Sequence, residues 1–266
     1  MNKIKLAIIG GTGFYGLEGI NFTDRSVKTP YGQVKIKTGE YKGIELAFLN
    51  RHGEGRNLPP HLINYRANIF ALKKIGVRAI LATNTVGAIN TKMKPGSLVF
   101  IDQFIDFTKS RSGTFFDGEK GVVHIDLTNP YCEIIRQELI KAAKEKNMPF
   151  HEKGTLIVTE GPRFETPAEI KFFRSIGADL VGMTGFPEAA LAREAGICYA
   201  SICIATNFAA GASNELLNIE EIGAAMEKVK KPLYELILAV ADRHVFSSDC
   251  QCKSSEKQFE LLLNKK

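Results

Sequence analysis

The chain has 266 residues, 44% of them hydrophobic and 24% charged, and a formal net charge of +6. That is ordinary globular composition with enough chain for a large core, which excludes a disordered or fibrous polymer. No apolar run approaches the ~18 residues of a membrane span, and no basic helix or aromatic-basic motif points to nucleic acid.

The start, MNKIKLAIIGG, carries too short an apolar stretch for a signal peptide. The expectation is a cytoplasmic protein with one domain at residues 1–245 and a polar tail at 246–266. In chain order, the first predicted strand is Lys5–Ile9, which runs into Gly10-Gly11-Thr12-Gly13. Glycines at a strand end let backbone N–H groups approach a phosphate. The spacing Gly11-x-Gly13-x-x-Gly16 also fits a dinucleotide fingerprint. That site needs a helix next and an acid about 20 residues on; Gly16–Thr29 does not read as an amphipathic helix, and Asp24 falls too early.

Predicted strands Val34–Lys37 and Glu45–Leu49 follow, the second ending at Asn50-Arg51-His52-Gly53. Two basic side chains ahead of a glycine-rich loop suit an anion. The apolar spacing of Leu62, Tyr65, Ile69 and Leu72 predicts a helix over Pro60–Ile75. Strand Val77–Ala82 ends in Thr83-Asn84-Thr85-Val86-Gly87, a third turn of small polar residues. Leu98–Ile101 reads as a strand, followed by a loop with Asp102, Asp106, Arg111, Phe115 and Phe116, whose acids are expected to be structural.

Helices are predicted at Tyr131–Lys146, Ala168–Ile176, Glu188–Ala195 and Ile219–Leu238, and strands at Gly154–Val158, Leu180–Val181 and Cys198–Ala205. The tail from His244 is polar and expected to be loosely held. Alternating strands and helices give an α/β single-domain fold with a mixed, mostly parallel central sheet flanked by helices. Polar groups recur past strand carboxyl ends at Thr12, Arg51-His52, Thr85, Glu165, Met183-Thr184 and Asn207. That edge is where open α/β sheets bind ligands.

No pair among the five cysteines has zinc-finger spacing, and the predicted site includes no metal ligand. Cys198 and Cys203 read as small buried hydrophobes. Cys250-Gln251-Cys252 reads as two exposed thiols, suited to redox chemistry, a metal or a disulfide that pins the tail. There is no Gly-x-Ser-x-Gly elbow, Walker loop or Cys-His nucleophile arrangement, so covalent catalysis and nucleotide triphosphate hydrolysis find no support.

Six ordered motifs carry a resemblance. They are Ile8-Ile9-Gly10-Gly11-Thr12-Gly13, Asn50-Arg51-His52-Gly53, Asn64-Tyr65-Arg66-Ala67-Asn68, Glu160-Gly161-Pro162-Arg163-Phe164-Glu165-Thr166, Gly182-Met183-Thr184 and Pro187-Glu188. Over about residues 5 to 240 the chain resembles the trimeric purine nucleoside phosphorylase and methylthioadenosine phosphorylase family, nearest in motif to its 6-oxopurine and methylthioinosine branch. The resemblance implies phosphorolysis in purine salvage, in which inorganic phosphate attacks the anomeric carbon of a nucleoside and releases the base. It implies no cofactor beyond phosphate as co-substrate, and a homotrimer or a dimer of trimers.

The same resemblance assigns phosphate to Thr12, Arg51, His52, Thr85, Val86 and Thr184, ribose to Met183, and the base to Phe164, Glu165 and Asn207. Phe208, Ala209 and Ile219 are further substrate neighbours, and His124 reaches an adjoining subunit's site. Asn207 and His52 are the expected catalytic groups. Glu165 and Asn207 stand where adenosine-specific relatives carry Ser and Asp, which implies hypoxanthine or guanine bases. Ile219 stands where inosine-cleaving relatives carry a His; with Ile222 one turn on, it suits a 5′-methylthio group. Competing expectations are a methylthioadenosine phosphorylase, an NAD(P)-dependent oxidoreductase built on Gly11, Gly13 and Gly16, and a non-catalytic nucleoside binder.

Overall fold

The computed structural model describes residues 4–55, 58–118, 121–213, 219–243 and 250–264. Strand β1 (Leu6–Gly10) is buried at every position. An apolar run without polar alternation suits a strand covered on both faces. It pairs in parallel with β4 (Ile44–Asn50) on one side and β5 (Ala79–Ala88) on the other. An antiparallel hairpin of β2 (Thr23–Thr29) and β3 (Gly32–Tyr41) extends the sheet past β4.

The sheet branches at β5. Its first half lies beside β1, while Gly87 and Ala88 pair antiparallel with β10 (Leu180–Gly182). Along its whole length β5 pairs in parallel with β11 (Cys198–Phe208). Beyond β10 lie β9 (Thr155–Thr159) and then β7 (Gln103–Phe107), both parallel to their neighbours. Beyond β11 lie β6 (Leu98–Phe100) and β8 (Phe150–His151).

Two layers of helices bury the two sheet faces. Helix α1 (Tyr65–Lys74) and α4 (Glu188–Glu194) contribute Ile69, Phe70, Leu72 and Leu191 to one core. Helix α2 (Glu133–Glu145) and α5 (Ile219–Asp242) contribute Ile135, Leu139, Leu233 and Ile237 to the other. Helix α3 (Pro167–Ser175) closes a third cluster through Ile170 and Phe173. Its start is fixed by a capping box, in which Thr166 accepts from the Glu169 N–H and Glu169 accepts from the Thr166 N–H.

The α/β fold with a mixed sheet is as expected, but several particulars differ. No helix follows β1 before β2, so the glycine spacing lacks the context a dinucleotide site requires. Strand β5 does not end at Ala82 but continues through Thr83–Ala88, because β11 pairs with all of it and β10 takes up Gly87 and Ala88. Edge strands β2 and β7 were not foreseen.

Of the tail, residues 244–249 and 265–266 lie outside the described residues, and from Cys250 on it is docked rather than loose. Helix α6 (Glu256–Asn264) buries Phe259 completely, with its ring 5.6 Å from that of Phe70 and 4.9 Å from that of Phe115. Glu256 accepts from Lys73 at 2.7 Å and Arg78 at 2.6 Å. Cys252 is buried and Cys250 half-buried, not exposed. No helix among the described residues is long and apolar enough to cross a membrane.

Candidate active site

A cleft of about 280 Å3 opens at the carboxyl ends of β1, β4, β5, β9 and β11. Each wall follows from local sequence. Thr12 lies in the turn that Gly10 and Gly11 permit: a Cβ on Gly10 would meet the Phe14 carbonyl oxygen at 2.2 Å, and one on Gly11 would meet Arg51 Nη1 at 2.8 Å. Thr85, Val86 and Gly87 come from the far half of β5, Gly182, Met183 and Thr184 from the end of β10, and Pro162, Phe164 and Glu165 from the loop after β9. Thr206 and Asn207 come from a β-bulge, where Ala205 opposes Val86 but Asn207 opposes Gly87. The extra residue re-aims the strand at its end.

The polar groups are oriented before any ligand arrives. Thr184 Oγ1 donates to Asn84 Oδ1 at 2.8 Å, and Asn84 Nδ2 donates to Ser201 Oγ at 2.6 Å. Glu165 Oε1 accepts from Thr159 Oγ1 at 2.6 Å. The Asn207 amide is fixed at both ends: Oδ1 accepts from Thr206 Oγ1 at 3.0 Å and Nδ2 donates to the Phe208 carbonyl at 2.8 Å. Phe164, 45% exposed, presents its ring at the mouth. His52 Nδ1 lies 2.8 Å from the Leu58 carbonyl. A carbonyl only accepts, so Nδ1 carries the proton and Nε2 is left for a ligand. Burial lowers the His52 pKa below its ordinary value, which favours the neutral ring.

Arg51 does not line this cleft. It is 1% exposed, and its guanidinium lies behind the Gly11 turn. Nε and Nη2 donate to the two Glu188 oxygens at 2.6 and 2.9 Å, and Nη1 donates to the Thr83 carbonyl at 2.7 Å. Burial opposes the Arg51 charge, but the Glu188 carboxylate outweighs it and the pKa stands above its ordinary value. Tyr199 donates to the same carboxylate at 2.9 Å.

Of the other expected residues, Thr12, His52, Thr85, Val86, Thr184, Phe164, Glu165, Met183, Asn207 and Ala209 converge on the cleft. Ile222 lines it as well. Phe208 instead packs against the core. His124 is exposed on a loop and is not among the residues that line the cleft. Ile219 opens α5, and its side chain lies outside the described residues.

The sequence reading missed Arg111, which stitches the cleft's two loops together. Its side chain is 2% exposed and donates to the carbonyls of Thr159, Glu160, Met183 and Phe186, and to Tyr65 Oη, at 2.7–3.1 Å. An arginine in a polar loop gives no local sign that it will be buried among carbonyls.

One cleft therefore carries hydroxyls and an imidazole among its walls, together with an aromatic ring, an acid and an amide. The fold and site define an α/β protein for a small ligand that combines an anion with a flat polar ring. Comparison with known proteins narrows this. The family description "Phosphorylase superfamily" matches residues 5–242, and the chain belongs to that superfamily. It is 49% identical to the 6-oxopurine nucleoside phosphorylase of Pyrococcus furiosus over 259 residues, 95% of this chain and 98% of that one. It is 46% identical to a protein of Methanopyrus kandleri named probable S-methyl-5'-thioinosine phosphorylase, over 94% of this chain and 97% of that one. The fold superposes on methylthioadenosine phosphorylase from Schistosoma mansoni in complex with adenine, with a TM-score of 0.85 and 33% identity over 98% of each chain.

Proposed function

We propose that this chain is a phosphorylase of 6-oxopurine nucleosides, taking inosine, guanosine or 5′-methylthioinosine and inorganic phosphate to the free base and a ribose 1-phosphate. The observation that carries the reading is the pairing of Glu165 with a fixed Asn207 amide in one cleft. A carboxylate accepts from purine N1–H and from the 2-amino group of guanine. An amide donates to O6 or N7. Phe164 supplies a face for the ring and Met183 a wall for the ribose. The activities named for the two sequence relatives support the same substrate class.

In this reading Thr12, Thr85, Thr184 and the Val86 backbone hold phosphate beneath the sugar, and His52 Nε2 accepts from a phosphate hydroxyl. Arg51 acts from behind, by fixing the Gly11-Thr12 turn. The transition state is a ribosyl oxocarbenium between phosphate and departing purine, so the protein needs no nucleophile. It lowers the barrier by alignment and by hydrogen bonds to the charge that develops on the base, which Asn207 receives. No cofactor is needed. Ile222, an apolar residue on the cleft wall, favours a 5′-methylthio over a 5′-hydroxyl group; such a methyl discriminates by only ~1–3 kcal/mol.

The working assembly is a homotrimer in which exposed His124 meets a neighbour's cleft. A fully active monomer at assay concentration would remove that part of the proposal. The central test is phosphate-dependent base release from inosine, guanosine, adenosine and their 5′-methylthio analogues. The 6-oxopurines are expected to have the higher kcat/KM. A preference for adenosine or 5′-methylthioadenosine sinks the base assignment, and a preference for inosine over 5′-methylthioinosine sinks the methylthio assignment.

A further inference from the structure

Four of the five cysteines meet at one point remote from the cleft. Cys132 immediately precedes α2, and its backbone N–H donates to the Tyr199 carbonyl at 2.8 Å. Cys198 is the first residue of β11. Cys250 and Cys252 bracket the turn that leads into α6. The four Sγ atoms all lie within 4.8 Å of one another, and those of Cys198 and Cys250 are 3.2 Å apart. Cys132, Cys198 and Cys252 are buried and Cys250 is half-buried.

We propose that Cys132, Cys198, Cys250 and Cys252 form a structural tetrathiolate site for a thiophilic divalent cation, zinc, that clamps the C-terminal segment to the sheet. A zinc–sulfur bond of about 2.3 Å in a tetrahedron places the sulfurs roughly 3.8 Å apart, a spacing that the cluster spans without moving an element. An all-sulfur donor set selects zinc or iron over the harder cations that prefer oxygen. Four protein ligands close the coordination sphere, as structural sites require.

The surroundings suit the two net negative charges that four thiolates and one Zn2+ leave. Cys132 is the residue that caps the start of α2, where the helix's first backbone N–H groups gather. N–H groups at a helix start favour a thiolate. The Arg193 guanidinium donates to the Asn129 carbonyl, three residues before Cys132, and the Arg193 carbonyl accepts from Ser255 Oγ, three residues after Cys252, so a cation stands on the cluster's flank. Binding replaces thiol protons with the metal and releases them to solvent, with no change of oxidation state.

Position explains purpose. Nine residues along β11 separate Cys198 from Asn207, on the order of 30 Å at ~3.3 Å per residue, so the site does not serve the reaction. It joins three segments that are far apart in sequence, where closing long loops contributes most to stability. Cys203 is not part of it; it is fully buried, with its sulfur 3.9 Å from Ser201 Oγ.

The test uses the full-length chain, reduced, stripped with a chelator and titrated with Zn2+. About one zinc per chain is expected. Zn2+ should slow the alkylation of Cys132, Cys198, Cys250 and Cys252, whereas the rate at Cys203, already fully buried, should be the same with and without metal. Co2+ in place of zinc should give intense thiolate-to-metal charge-transfer bands. Cys250→Ser with Cys252→Ser should abolish tight zinc uptake and lower Tm, with base release at room temperature unchanged. Zinc content equal in wild type and double variant overturns the proposal. So does a reduced wild-type chain with no cobalt charge-transfer band, or recovery of Cys198 and Cys250 as a disulfide from protein saturated with zinc. These readouts are independent of which nucleoside is cleaved.

Discussion

Asn207 is the side chain on which the choice of base turns. Its amide is held by Thr206 and by the Phe208 carbonyl, so it meets a ligand without reorienting. Asn207→Asp replaces the donor with an acceptor and places a second carboxylate in the cleft with Glu165. A 6-oxo group then faces no donor, a loss of ~1–3 kcal/mol. The expected result is a roughly 10- to 100-fold fall in kcat/KM for inosine, with a smaller fall for adenosine. An unchanged ratio of the two in steady-state assays would count against Asn207 as the reader of the base. Arg51 teaches a different lesson. Its sequence context marked it as an anion ligand, but its partner Glu188 is on a distant helix, and no spacing rule connects the two. Arg51→Ala strands a fully buried carboxylate, and breaking such a pair costs ~3–5 kcal/mol. Urea unfolding should show that loss, and Arg51→Ala with Glu188→Ala should lose less than the two single changes added together. Strict additivity would mean that the two charges do not act as a pair.

Among the elements, most strands and helices were legible because their apolar periodicity is strong: β1, β4, α2 and the buried part of β11 lie close to where the pattern places them. The far half of β5 was not, since Thr83-Asn84-Thr85 looks like a turn until β11 is known to pair with it. Strands β2 and β7 carry mostly exposed or half-buried side chains, so burial leaves little trace in their sequence. The bulge that sets Asn207 is likewise a matter of pairing, which no single strand encodes. The loop after β9 depends on Gly161, whose φ is +66°. An added Cβ there would stand 2.7 Å from Met183 Sδ. Gly161→Ala therefore strains the backbone and displaces the thioether from the proposed ribose wall. The expected outcome is a several-fold rise in KM for the nucleoside with KM for phosphate unchanged, read from initial rates. Equal rises in both would show that the whole cleft has shifted instead.

At the scale of the molecule, the C-terminal segment is where sequence and structure part most clearly. Lys253-Ser254-Ser255-Glu256-Lys257-Gln258 reads as solvated chain, and one aromatic residue after it does not change that impression. Tertiary contacts decide otherwise. Phe259 fills a space between Phe70 and Phe115, Ser255 Oγ donates to the Arg193 carbonyl at 2.9 Å, and Gly196 lets α6 approach so closely that a Cβ there would sit 2.7 Å from Glu256 Cβ. Burial disfavours the Glu256 charge, but Lys73 and Arg78 outweigh it and hold its pKa below the ordinary carboxylate value. The stability from that carboxylate is present above the unfolded pKa and is lost as pH falls through the folded one. The larger contribution is the ring. Phe259→Ala removes a completely buried aromatic and is expected to cost ~3–5 kcal/mol, seen as a lower urea midpoint and faster proteolysis of the tail. Because Phe259 is absent from the cleft walls, KM values at room temperature should not move. A loss below about 1 kcal/mol, the size of an ordinary surface substitution, would mean that the segment is not docked in solution.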